Sequence, residues 1–289
     1  MIWLVLSVLA STAIFVVFRL FGKYEVNNLQ AIIVNYLVAF LLGLATSSFS
    51  PDNLLTLPQQ SWFPNVLVLG FLFITLFQLM AWVSQNFGVA AVSVAVKMSV
   101  IVPIAFGIWY YSEPLSWTRG LGFILALGAL FLATYKPGKI RTRQALWFLP
   151  VLLFLGSGFL DTFINYNEDR YLQEGEHALF ATAIFGMAAL FGFLFVGLRM
   201  LRRRQPAAWK SLWGGIALGV PNYGSIYFVL RALDQPELSS SVVFALNHVA
   251  IVALSTLLGV SLFREHFSRA NQAGLALSII SILLIYRAL

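Results

Sequence analysis

Two segments decide how this chain is read: YSEPLSWTRGLGFILALGALFLATY, residues 111–135, and FREHFSRANQAGLALSIISILLIYR, residues 263–287. Laid over one another without a gap, they bring Glu113 onto Glu265, Ser116 onto Ser268, Gly122 onto Gly274 and Ala126 onto Ser278. Self-similarity at a fixed offset marks an internal repeat. Each copy also ends in an apolar run long enough to cross a bilayer.

The rest of the chain has the same character. Of 289 residues, 60% are hydrophobic and 10% charged, with a mean hydropathy of +0.86; a soluble domain carries about 25% charged residues. With so few polar residues to cover the outside, lipid must be the outer solvent. Cysteine is absent, so thiolates can build no disulfide, zinc or iron-sulfur site, and no metal or other cofactor is expected. The formal charge is +7. Most of the excess sits in KPGKIRTR, residues 136–143, and RMLRRRQPAAWK, residues 199–210, which read as topology signals and not as a nucleic-acid surface. The opening MIWLVLSVLASTAIFVVFRLF lacks a basic leader and is read as a first membrane helix, not a cleaved signal peptide.

At about 20 residues per span, ten spans are expected: 2–19, 28–47, 62–83, 89–110, 117–135, 145–166, 178–199, 210–231, 239–262 and 269–288. The segments are continuous apolar runs without the period-2 alternation of barrel strands. The expected fold is therefore all-α: two five-helix repeats, residues 1–137 and 144–289. An odd number of helices per repeat sets the second copy upside down, the plan of many secondary transporters.

The repeated pattern of an apolar helix, a Glu, a Ser two or three residues on and a Gly at the head of a small-residue-rich helix resembles the EamA-type family of the drug/metabolite transporter superfamily. That resemblance implies ten helices in two inverted halves, a substrate cavity between them, and fifth and tenth helices that pack peripherally. It says nothing of the substrate. Gly122/Ala126 and Gly274/Ser278 also have an independent reading, since small residues four apart let helix backbones approach closely in lipid. Glu113 and Glu265 stand where spans end, and read as scaffold that accepts from exposed N–H groups of the next helix.

Three ionisable side chains lie deep in the apolar runs. Lys97, in AVSVAVKMSVIVPIAFGIWYY, is roughly 12 Å inside the nearer end of its span at 1.5 Å per residue. Snorkelling to the headgroups strains that reach; the other reading is a cavity-facing ammonium. The repeat offset places Lys97 within one residue of His248. The resemblance puts both on cavity-lining fourth and ninth helices. Ser241, His248 and Ser255 are seven apart on one helix face, with Asn247 alongside. His248 is either a neutral imidazole bonded to a neighbouring helix or a group that titrates or binds substrate. Asp161 lies in a stripe of Ser157, Asp161, Asn165 and Glu168 spaced four, four and three; such a stripe wants water or partners beside it. Lys97 is the expected partner of Asp161, in a pair either structural or working. Glu168 is expected in the loop beyond.

Weaker stripes follow: Gln78, Trp82 and Gln85 on the third span; Tyr223, Tyr227 and Arg231, with Asn222 beside them, on the eighth; and Asn35 on the second. Each serves equally as helix-to-helix glue. Together they predict a cavity with amide, aromatic and charged walls. No metalloprotease, nucleotide-loop or serine-triad pattern is present. The expected function is transport of a small polar metabolite, an amino acid or similar zwitterion, with proton coupling as one option. Phosphorylated or sugar-type solutes, or a non-transporting membrane scaffold, are the alternatives. The basic clusters lie in connections after odd-numbered spans, so the positive-inside rule puts those in the cytoplasm and both termini outside an inner membrane.

Overall fold

The computed structural model describes residues 1–46, 56–87, 95–97, 99, 101–110, 112, 116–134, 148–173, 176–197, 208–235, 238–263 and 268–287. Ten α-helices lie among the described residues: α1 Ile2–Tyr24, α2 Asn28–Thr46, α3 Phe63–Phe87, α4 Ile101–Tyr110, α5 Trp117–Thr134, α6 Phe148–Tyr171, α7 His177–Gly192, α8 Trp209–Leu233, α9 Ser240–Phe263 and α10 Arg269–Arg287. A π turn, Phe193–Gly197, extends α7, and residues 95–97 are helical ahead of α4. Glu113 and Glu265 lie outside the described residues. Five helical stretches, Ile2–Tyr24, Asn28–Thr46, Phe63–Val83, His177–Phe195 and Val242–Phe263, are long and apolar enough to cross a membrane. Large apolar side chains stay exposed around the outside, among them Val5, Leu41, Phe71, Leu155 and Leu257. A soluble surface rarely carries so much apolar area, and the chain is a multi-pass membrane protein.

Most helix pairs come in matched couples; α9 with α10, α5 with α9 and α8 with α9 have no counterpart of similar extent among the described residues. α1 packs on α8 and α9, while α6 packs on α3 and α4; α2 packs on α8, while α7 packs on α3; α2 touches α3, while α7 touches α8. Shifting every label by five exchanges the members of each couple. The pairs α2 with α7, α4 with α9 and α5 with α10 map onto themselves.

In lipid, helices gain little by hiding apolar surface from one another, so close approach and dispersion must hold them. Glycines supply the approach. A Cβ built on Gly219 of α8 would lie 2.7 Å from Val38 Cβ and 2.8 Å from the Asn35 carbonyl oxygen of α2, and one on Gly215 would lie 2.6 Å from the Ala31 carbonyl oxygen. In the matching couple, a Cβ on Gly70 of α3 would lie 2.6 Å from Met187 Cβ of α7. Between α5 and α10 the contact includes a hydrogen bond of 2.7 Å from the Ser281 hydroxyl to the Gly122 carbonyl, and both Gly122 and Gly274 are buried.

Aromatic rings fill the centre. Tyr36 lies 5.2 Å from Phe77 and 6.3 Å from Phe185 between ring centroids, Phe185 is 6.0 Å from Tyr223, and the Tyr36 hydroxyl donates to the Phe73 carbonyl at 2.9 Å. Tilted and stacked ring pairs of this kind add roughly 0.5–1.5 kcal/mol each beyond area burial. Side-chain bonds at helix ends complete the frame: the Asn65 amide donates to Asn167 Oδ1 at 2.6 Å, and His177 Nε2 meets Asp234 Oδ1 at 2.6 Å. The sixth helix runs on to Tyr171, so Glu168 belongs to its last turns and not to a loop; its Oε2 is buried without a hydrogen-bond partner among the described residues.

Candidate functional site

A cavity of about 150 Å³ opens between α1, α3, α6, α8, α9 and the helical residues 95–97, and Lys97, Asp161, Asn222, Asn247 and His248 all line it. The sequence stripes explain how they meet. Ser157 and Asp161 are one turn apart on α6, Asn222 and Ser225 sit just past Pro221 within α8, and Asn247 and His248 are neighbours on α9. Proline has no N–H to give the carbonyl four residues back, which leaves α8 locally short of a backbone bond beside the site.

Asp161 Oδ2 stands 3.7 Å from His248 Nε2. That is ion-pair range and too long for a hydrogen bond. Lys97 is 7% exposed, and its Nζ sits 5.5 Å from the centroid of the Phe15 ring on α1. A cation over an aromatic face gains roughly 0.5–2 kcal/mol, most when desolvated. Among the described residues Lys97 and Asp161 therefore share the cavity without closing the salt bridge expected from the sequence, and Asp161 faces the imidazole instead.

Three atoms on this wall are buried and find no hydrogen-bond partner among the described residues: Asn222 Nδ2, Asn247 Oδ1 and His248 Nδ1. An unmet buried polar group costs about 1–3 kcal/mol. The ammonium of Lys97 and the carboxylate of Asp161 give the cavity lining groups of both signs, fit for a ligand that both donates and accepts.

The other sequence candidates lie elsewhere. Tyr223 shares a hydrogen bond of 2.6 Å with Thr46 and stacks on Tyr227. Tyr227 accepts from Arg231 Nε at 3.2 Å, and the exposed guanidinium of Arg231 also lies 5.7 Å from the Trp3 ring centroid. These tie α8 to α2 and α1. Asn35 is fully buried on α2 with neither side-chain end paired among the described residues. Asn165 is buried outside the lining, Gln78 Nε2 has no partner among the described residues, and Trp82 is exposed on α3.

Sequence reasoning passed over Ser11 and Phe15 of α1, Ser225 of α8 and the apolar wall from α3. A signal for α1 existed. Ser7 and Ser11 are four apart, and the Ser7 hydroxyl donates to the Ser225 carbonyl at 3.1 Å.

Comparison with known proteins places this geometry in context. A Haemophilus influenzae protein described as uncharacterized is 28% identical over 290 residues, spanning 98% of this chain and 97% of its own. A protein known from a crystal structure superposes with a TM-score of 0.64 at 12% identity, over 98% of this chain and 99% of that one, and so has the same fold. The EamA-like transporter family model matches residues 1–135, which hold the first of the two segments that opened the sequence reading. Over that N-terminal stretch the chain is similar to the EamA-like transporter family, a member of the drug/metabolite transporter superfamily.

Proposed function

We propose that the chain is a secondary transporter that carries a small zwitterionic metabolite, an amino acid or close analogue, by alternating access. One observation carries this reading: Lys97, Asp161 and His248 line the same cavity from three separate helical segments. Lys97 offers a cation to a carboxylate, and Asp161 offers an anion to an ammonium. The Asp161–His248 pair supplies a protonatable unit that couples substrate movement to a proton. A ligand drives a conformational change only by contacting two states differently, and a charge that trades a protein partner for a substrate partner provides that difference. The phosphorylated-solute alternative is less favoured, because a phosphate wants several converging cations and the Arg231 guanidinium is spent on Tyr227 and Trp3.

The matched couples of helix contacts support an inverted arrangement of two five-helix repeats, residues 1–137 and 144–289, with the substrate site between them. In purified form in liposomes, the protein should give saturable solute flux that unlabelled substrate competes away. Flux that neither saturates nor competes would remove the transporter reading and leave a membrane scaffold.

The positive clusters support an inner-membrane orientation with both termini outside. The chain contains no cysteine, so single cysteines report cleanly. In intact cells, an impermeant thiol reagent should label Gln59→Cys and spare Lys210→Cys. The reverse pattern would invert the topology.

A further inference from the structure

We propose that the cavity selects zwitterions with a compact apolar side chain, of the branched-aliphatic or methionine kind; this rests on the transporter reading of the same site. The polar groups described above occupy only part of the lining. The remaining wall is built from apolar side chains, among them Leu76, Phe77 and Met80 of α3, Ile226 and Val229 of α8, and Phe244 of α9. Water held against such a wall has too few polar partners to be stable. An apolar group entering there is rewarded by roughly 0.8 kcal/mol per methylene, about 4-fold in affinity. A hydroxyl, amide or carboxylate on the side chain would meet no partner on that wall and lose its hydration.

Size narrows the class further. A cavity of about 150 Å³ matches the engineered protein cavity that takes up benzene, and head and tail of the ligand must share it, which favours a compact aliphatic side chain over an indole. Met80 adds an adaptable wall, since an unbranched thioether reshapes itself around its neighbours. The charged groups fix the head of the ligand, and the wall grades its tail.

Thermal-shift titration of the full chain in detergent tests this with L-leucine, L-methionine, L-alanine, L-serine, L-glutamate, isovalerate and isoamylamine, because a ligand that binds only the folded state raises its melting temperature. Leucine and methionine should bind about 10-fold or more tightly than alanine or serine, and glutamate should not bind. Alanine or serine binding as well as leucine would overturn the side-chain selection and leave the zwitterion reading standing. Isovalerate or isoamylamine matching leucine would overturn the zwitterion reading itself. No stabilisation by any of them at millimolar concentration would overturn both. Val229→Thr places a hydroxyl in the wall at similar volume and should narrow the leucine-to-alanine ratio several-fold; Ile226→Thr, which also removes one carbon, serves the same purpose if the first variant fails to fold. A ratio unchanged in the folded variant would place the side chain elsewhere and defeat the proposal.

Discussion

Lys97→Ala is expected to abolish substrate flux, by 100-fold or more, in a protein that still inserts and folds. Truncating one member of a buried charged contact costs about 2–5 kcal/mol of binding, mostly because the other charge is left without its partner. On the proposed reading the orphaned charge is the substrate carboxylate. Stability should fall far less than flux, since Lys97 rests on the Phe15 ring while His248 still faces Asp161 at 3.7 Å. The double variant Lys97→Ala with Asp161→Ala should be at least as stable as Lys97→Ala and equally inactive. Lys97→Arg is not a safe substitute, because a planar guanidinium is larger than an ammonium and directs its donors differently. Proteoliposome flux beside melting temperature separates the outcomes. Normal flux in Lys97→Ala would take the ammonium out of the substrate path, and normal flux in the double variant would make both charges structural.

The second large effect is mechanical. Gly219→Ala should destabilise the protein by about 1–3 kcal/mol through overpacking, and Gly215→Ala should behave the same way. At both sites the added methyl would press on a carbonyl oxygen of α2, 2.8 Å away at Asn35 and 2.6 Å away at Ala31, and a helix backbone cannot rotate aside as a side-chain tip can. The double variant should yield little folded protein. Gly22→Ala and Gly128→Ala are the controls, because a Cβ at either site meets nothing within 4 Å. Alanine is also the better helix former by up to about 1 kcal/mol, so the controls should melt at or above the parent temperature. A Gly219→Ala protein that melts with its parent would mean that α2 and α8 do not approach this closely.

Much of the helical layout was legible because lipid imposes one simple demand, that every backbone polar group in a span be satisfied within that span. An apolar run of about 20 residues has then almost no alternative to a helix, and α2, α5, α9 and α10 begin and end within a residue or two of where the runs suggested. Helix ends carrying polar residues were harder to place. Glu168 reads as part of the loop beyond the sixth span, yet α6 continues to Tyr171, and one residue before Glu168 the Asn65 amide meets Asn167. That partner sits 102 residues away in the chain, and nothing in local composition announces it.

The sequence by itself determined that this chain lives in a bilayer, that it repeats a glutamate–serine–glycine pattern at a fixed offset, and that Lys97, Asp161 and His248 are too deep to be ordinary surface charges. These follow from hydropathy, length and spacing, which are properties of one chain read in order. Only the tertiary structure decided which polar stripes share a cavity. Periodicity says which residues lie on one face of a helix, but not which neighbour that face meets. Thus Asn222 and Asn247 reach the same space as Lys97, whereas Tyr223 bonds Thr46 and Tyr227 accepts from Arg231. The choice of His248 over Lys97 as the closer partner of Asp161 likewise depends on how α6, α9 and the helical residues 95–97 are set against one another, over distances of a few ångströms that no spacing along a single helix encodes.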